Sequence, residues 1–187
     1  NRVGDLPQGA VVGTSSPRRR AQLLRERPDL EIVLLRGNVD TRRGKVASGE
    51  VHATLLAAAG LDRLGRDGIG VAVDAMLPAP AQGAVGIEVL AASASAVELV
   101  SAIDHRDTHE CVLAERSLLA GLSADCHSPV AALAVFTDGV LTLSGELLTE
   151  DGDAHVTGSA SGEHAGQLLA QDLLARAPEA VRRLFGK

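Results

Sequence analysis

The 187-residue chain has no tryptophan, no tyrosine and only two phenylalanines, Phe136 and Phe185. Bases have almost nothing to stack on, so single-strand nucleic-acid binding of the aromatic-platform kind is excluded. The core must instead come from Ala, Val, Leu and Ile. Two cysteines do not make a disulfide framework, which leaves a reducing cytoplasm as the expected setting. Long apolar runs are also missing: the longest, Val130 to Phe136, falls far short of the roughly 20 residues a membrane helix needs, so no membrane span is expected. Residues 1–14 lack the basic-then-apolar layout of a secretory signal. The first residue is Asn1 rather than Met, and a fragment or processed product is expected.

What is present is charge, and it is unevenly placed. The net charge is −6, yet residues 1–45 hold ten bases against five acids, while residues 46–187 hold eight bases against 19 acids. A locally basic segment on an acidic protein suggests a defined anionic ligand. It argues against general nucleic-acid affinity, which needs many phosphate contacts over a broad basic face. Sixteen of the 18 bases are arginine, whose planar fork matches a carboxylate or phosphate with two parallel hydrogen bonds. Codon bias in an Ala, Gly and Arg-rich genome could produce the excess, but it does not account for the clustering.

Ala10 to Gly13 reads as a short buried strand. Ser16 is a good N-cap with Pro17 at the first helical position, and the helix should stop before Pro28. Glu31 to Leu35 reads as a second strand, Gly37 and Asn38 as turn and cap of a helix through Ala47, and Ala53 to Ala58 as a third strand. Strands alternating with helices imply parallel βαβ units, whose ligands sit beyond the carboxyl ends of the strands. After the first strand come Thr14, Ser15, Ser16, Arg18 and Arg19, after the second Arg36, Asn38 and Arg42, and after the third Ala57, Gly60 and Arg63. Hydroxyls, helix N-terminal amides and guanidinium groups are thus expected on one edge, as an anion site. A solvated helix face is the plain alternative for the Arg18-Arg19-Arg20 triplet. Recurrence after three strands weighs against it.

Leu77 to Gln82 is Pro-rich and reads as a linker, Gly83 to Val89 as another strand, Ser95 to Ile103 and Thr108 to Gly121 as helices. Cys111, Ala114, Leu118 and Leu122 share one face of the latter, so Cys111 is expected to be an inert core thiol. From Val130 the period becomes that of strands. Asp138-Gly139 and Asp151-Gly152 mark two hairpins of a three-stranded antiparallel sheet, and residues 163–185 are helical with an interruption at Pro178. Cys126 differs from Cys111, because it sits in the polar loop Ser123 to Pro129 and should be accessible. His127 is adjacent, though sequence neighbours often point apart. His105, His109 and the two cysteines fit no usual zinc spacing, so no metal is expected.

Four blocks now occur in order: VVGTSSPRRRAQLLRERPDLEIVLLRGNVDTRRGK, LLAAAGLDRLG, LPAPAQGAVGIE and AERSLLAGLSADCHSPVAA. Together they resemble the hydroxymethylbilane synthase (porphobilinogen deaminase) family over nearly the whole chain. The resemblance implies condensation of four porphobilinogen molecules, head to tail with loss of ammonia, in tetrapyrrole (haem) biosynthesis. It implies a dipyrromethane cofactor as primer, held by a thioether at Cys126. By motif, Thr14, Ser15, Ser16, Arg18, Arg19, Arg36, Asn38 and Arg42 hold acetate and propionate groups, and Leu56, Ala57 and Gly60 line the same cleft. Pro17 and Arg20 depart from the commoner apolar residue and Gln; neither removes a ligand group.

The resemblance further implies an α/β fold, with a periplasmic-binding-protein-like βαβ domain followed by a small α+β domain. Residues 1–80 would be the second, carboxylate-binding domain, 81–105 a linker and returning segment of a missing first domain, and 106–187 the cofactor-anchoring domain. Family members carry their general-acid Asp in that first domain, so no catalytic residue is expected here and this piece alone should be inactive. The partners implied are porphobilinogen and the growing polypyrrole, with the full-length protein a monomer that binds neither nucleic acid nor membrane. A non-catalytic anion-binding module remains an alternative. A DNA-binding regulator of related fold is disfavoured by the charge of −6 and by the absence of a helix-turn-helix segment ahead of the domain.

Overall fold

In the computed structural model, residues 2–66 and 68–185 are described. The strands β1 (Val11–Gly13), β2 (Glu31–Val33) and β3 (Ala53–Thr54) form a parallel sheet in the order β2-β1-β3, with Val12 in register with Ile32 and Ala53. Two helices make the crossovers, α1 (Pro17–Glu26) and α2 (Val39–Ala47). Ser16 Oγ accepts the Arg19 N–H at 3.3 Å, and Pro17 fills the first helical position, where its missing N–H leaves no bond unmade. Asn38 Oδ1 caps α2 by accepting the Thr41 N–H at 2.9 Å, an interaction worth about 1 kcal/mol. Leu23 of α1 closes over Ala10, Val12 and Leu30. Gly13 is demanded by packing, because a Cβ there would lie 2.8 Å from the Cβ of the buried Leu35.

The first strand begins one residue after the expected Ala10 and the second ends two before the expected Leu35, and two others differ more. The third ends at Thr54 instead of Ala58, because its only described neighbour, β1, itself ends at Gly13, opposite Thr54. Beyond that point the peptide groups have no ladder partner, and the chain turns into α3 (Ala58–Arg63). Residues 83–89 form no strand at all. No described strand edge pairs with them, and Val85 (79% exposed) and Ile87 (54%) face outward. An apolar sequence without a neighbouring strand cannot make a sheet.

The second half is built on α4 (Ala94–Ser101), α5 (Arg106–Leu122), the antiparallel sheet of β4 (Val130–Thr137), β5 (Val140–Leu148) and β6 (His155–Ser161), then α6 (Ala165–Arg176) and α7 (Glu179–Phe185). Helix α5 begins two residues before the expected Thr108, because His105 Nδ1 accepts the Thr108 N–H at 3.3 Å and caps it. Asp138 and Gly139 both take positive φ, 50° and 77°, as a two-residue hairpin of matching twist requires. Leu118, Leu122, Leu143, Leu147, Leu169 and Leu173 make the core between the sheet and the α5–α6 pair. Cys111 packs at its margin, partly buried, and burial first, then the Glu115 charge, pushes its thiol pKa up. An unreactive thiol is the consequence.

The linker is tied to this module by a buried acid. The Glu115 carboxylate, on α5, accepts the N–H groups of Ala81 and, at 2.7 Å, of Ala134, while Pro78 O accepts the Ala132 N–H at 3.1 Å. Contact between the two modules continues at α1: Gly152, in the β5–β6 loop, lies so close that a Cβ would be 2.5 Å from both Ala21 O and Arg25 N. No described helix is long and apolar enough to cross a membrane.

Candidate anion-binding site and cofactor loop

All three strands of the parallel sheet run the same way, so the residues after them collect on one edge. Thr14 is buried, and its Oγ1 accepts the Ser16 N–H at 3.2 Å, which fixes the turn into α1. Ser15 is exposed and Ser16 half-buried at the head of that helix. Arg19 reaches across the edge and donates from Nη1 to Leu55 O at 3.2 Å, linking the turn after β1 to the segment after β3. Arg42 donates from Nε to Gly37 O at 2.9 Å, which folds it back over the turn after β2.

Arg19 and Arg42 are close enough to repel. Burial and then the Arg42 charge lower the Arg19 pKa, and no described carboxylate pairs with it. A cationic pair of this kind is stabilised by an incoming anion. Arg18 is only 6% exposed, and burial, followed by the Arg19 charge, pulls its pKa down to about 10, with Glu146 opposing. It therefore stays charged at neutral pH. Its Nη1 donates to Gln22 Oε1 at 2.7 Å and to Leu77 O, while its Nε is buried without a partner among the described residues. An orphaned, desolvated guanidinium N–H suits an anionic acceptor better than any neutral one.

The remaining expected residues are more loosely placed. Arg36, Asn38, Ala57 and Arg63 are exposed, with Asn38 occupied as a helix cap, and Leu56 and Gly60 are partly buried on the stretch that follows β3. The structure thus draws Thr14, Ser16, Arg18, Arg19 and Arg42 into one hydrogen-bonded and electrostatic group. Arg36 and Arg63 are exposed and make no described ion pair. A cleft of about 670 Å³ opens elsewhere, between residues 81–87 and the α4–α5 junction, lined by Val85, Ile87, Ile103 and Val112. None of the clustered arginines lines it.

Cys126 is exposed in the loop between α5 and β4. Asp125 shapes that loop: its Oδ1 accepts the His127 N–H at 2.9 Å and the Ser128 hydroxyl at 3.1 Å, and both bonds hold its carboxyl below the usual range. The His127 backbone is thereby used for the turn, and no described bond joins its ring to Cys126. Because folding lowers the Asp125 pKa, its contribution is complete above the ordinary carboxylate range and disappears as pH falls through the lowered value. Acid titration of the His127 amide chemical shift should accordingly show the loop intact at neutral pH and loosened well below about pH 4. A shift that stays flat through that range contradicts the assignment.

Comparison with known proteins fits these features. The model described as "Porphobilinogen deaminase, dipyromethane cofactor binding domain" matches residues 1–98, and "Porphobilinogen deaminase, C-terminal domain" matches residues 109–175. The chain belongs to the porphobilinogen deaminase family. It is 54% identical over 189 residues to the porphobilinogen deaminase of Sphingopyxis alaskensis, covering 98% of this chain and 60% of that protein. Identity to the porphobilinogen deaminase of Thermus thermophilus is 48% over 182 residues (92% and 60% covered), and to that of Paracoccus denitrificans 46% over 184 (94% and 59%). The chain therefore spans about 60% of the length of these relatives.

Sequence reading of this family member missed Gln22, Arg25 and Glu146. Glu146, 2% exposed on β5, accepts from Gln22 Nε2 at 2.9 Å and from Arg25. A signal existed for each. Gln22 follows Arg18 by four residues on the same helix face, and Glu146 is a lone acid directly before Leu147 and Leu148 in a strand otherwise free of charge.

Proposed function

We propose that this chain is the carboxylate-binding and cofactor-anchoring part of a hydroxymethylbilane synthase, which joins four porphobilinogen molecules head to tail with release of ammonia. The observation that carries the reading is the group of Arg18, Arg19 and Arg42 at one sheet edge, desolvated or mutually repelling and lacking carboxylate partners among the described residues. Each pyrrole unit of such a product bears two carboxylates. Guanidinium forks on rigid strand-end turns bind them in fixed orientation.

In this reading residues 1–80 are the carboxylate-binding domain, 81–105 a linker and a segment returning to an N-terminal domain, and 106–187 the anchoring domain. Exposure of Val85, Ile87, Leu90 and Leu99 fits a face covered by that domain. The dipyrromethane cofactor is held covalently by the exposed Cys126 Sγ, and it supplies the free pyrrole position to which the first substrate is joined. Asp125 and Ser128 hold the loop carrying that sulfur. Arg18, Arg19, Arg36 and Arg42 bind carboxylates, Thr14, Ser15, Ser16 and Asn38 add hydrogen bonds or fix the turns, and Leu56, Ala57 and Gly60 line the cleft. Proton transfer belongs to an Asp of the N-terminal domain. The same reading has the full-length protein act as a cytoplasmic monomer.

The test is turnover. Full-length protein given porphobilinogen should release ammonia and hydroxymethylbilane, and the 187-residue piece should release neither. Turnover by the piece alone would overturn the assignment of proton transfer to the N-terminal domain, and inactivity of the full-length protein would overturn the enzymatic reading.

A further inference from the structure

Four polar side chains run in line from β5 to the anion site. Arg25 and Gln22 both donate to the Glu146 carboxylate, Gln22 through Nε2 at 2.9 Å, and Gln22 Oε1 in turn accepts from Arg18 Nη1 at 2.7 Å. Gln22 and Glu146 are each 2% exposed and Arg18 is 6% exposed, so water does not substitute for the Arg18–Gln22 and Gln22–Glu146 bonds. We propose that Gln22 and Glu146 are positioning residues: they fix the Arg18 guanidinium so that its Nε–Nη2 edge faces a carboxylate of the bound pyrrole chain. This rests on the function proposed above.

The donor and acceptor chemistry leaves Gln22 a single orientation. A guanidinium only donates and a carboxylate only accepts, so the amide between them must turn its oxygen to Arg18 and its NH₂ to Glu146. Reversal would set two donors and two acceptors face to face. With the amide locked, Nη1 is engaged by Gln22 and by Leu77 O, and Nη1 carries all of the guanidinium's described hydrogen bonds. The unpartnered Nε and its neighbour Nη2 form the side-on edge of the fork, which takes a carboxylate with two parallel bonds.

The relay also solves a charge problem. Arg18 is desolvated and stands beside Arg19, and Glu146 is the countercharge that opposes both effects. A carboxylate directly on Arg18 would occupy the fork that the ligand needs. Placed one amide away, Glu146 compensates the charge while the binding edge stays free. Because Glu146 belongs to β5 and Gly152 of the following loop packs on the α1 backbone, the module that carries Cys126 sets the geometry of a carboxylate grip in the other module.

The test uses the full-length protein and the variants Gln22→Leu, Glu146→Gln and the double exchange Gln22→Glu with Glu146→Gln. Each single change should raise KM for porphobilinogen about tenfold, more than it changes kcat, and lower the fraction of protein carrying the covalent adduct by intact mass. The double exchange should bring both back toward wild type, since the carboxylate now on α1 accepts from Arg18 and from the amide now on β5, whose oxygen accepts from Arg25. Leu173→Val, which opens a cavity in the C-terminal core, is the control; it should lower Tm and leave KM unchanged. If the single variants lose only Tm, or the double exchange restores Tm without KM, the four residues are a structural staple and the proposal is overturned. A wild-type protein with neither turnover nor adduct overturns the functional reading and this proposal together.

Discussion

Replacing Arg19 by leucine in the full-length protein is expected to cut kcat/KM for porphobilinogen by roughly a hundredfold or more. A bond from a charged donor to a charged acceptor contributes about 1.5–3 kcal/mol, and a fork makes two of them. Arg19 has little internal employment: one nitrogen bonds Leu55 O, no described carboxylate pairs with it, and Arg42 repels it. Its loss therefore costs the folded protein little and the bound polycarboxylate much. Arg19→Lys retains the charge but not the fork, and its kcat/KM should fall between the two. Steady-state kinetics with intact-mass measurement checks this, since an adduct that is absent marks failed cofactor assembly and an adduct that is present marks failed elongation. Normal kinetics with full adduct in Arg19→Leu would remove Arg19 from the binding wall.

Gly166→Val is expected to be the most destabilising single change in the C-terminal module. Gly166 lies where α6 crosses α5, and a Cβ there would stand 2.4 Å from Ala114 O, 2.7 Å from Ser117 Cβ and 2.8 Å from Leu118 N. Two of those atoms are helix backbone. They cannot rotate away, so the helices must separate, and the core of Leu118, Leu169 and Leu173 between them and the sheet opens. Overpacking of this kind costs about 3 kcal/mol or more, against a total stability of about 5–15 kcal/mol. For a chain of this length Tm should fall by roughly 6–12 °C. Gly4→Ala, with nothing within 4 Å of the added Cβ, is the near-neutral comparison in the same thermal melt. Equal Tm values for the two variants would contradict the packing assigned to the α5–α6 crossing.

Where sequence reading succeeded, a local rule coincided with the tertiary arrangement. Ser16-Pro17 and Asn38 start helices because the cap satisfies amides within its own turn, and Asp138-Gly139 makes a hairpin because two positive φ values match strand twist. Where it failed, the outcome depended on a distant neighbour. Ala53 to Ala58 has strand composition throughout, but the ladder ends where β1 ends. Residues 83–89 are apolar enough for a strand, yet no described edge receives them. The candidate site divides in the same way. Hydroxyls and arginines after strand ends were legible from topology alone, whereas the Gln22–Glu146 contact joins residues far apart in the chain and became visible only with the packing of β5 against α1.

Under the proposed function, the exposed Cys126 carries a pyrrole primer whose carboxylates the arginine group binds. Intact mass of the full-length protein, purified from cells that make porphobilinogen, tests it most directly, with peptide mapping and a Cys126→Ser control. The expected result is the mass of two linked pyrrole units on the peptide containing Cys126, absent from the serine variant, with Cys111 unmodified. An unmodified Cys126 in protein from such cells, or the same adduct in the serine variant, would contradict it.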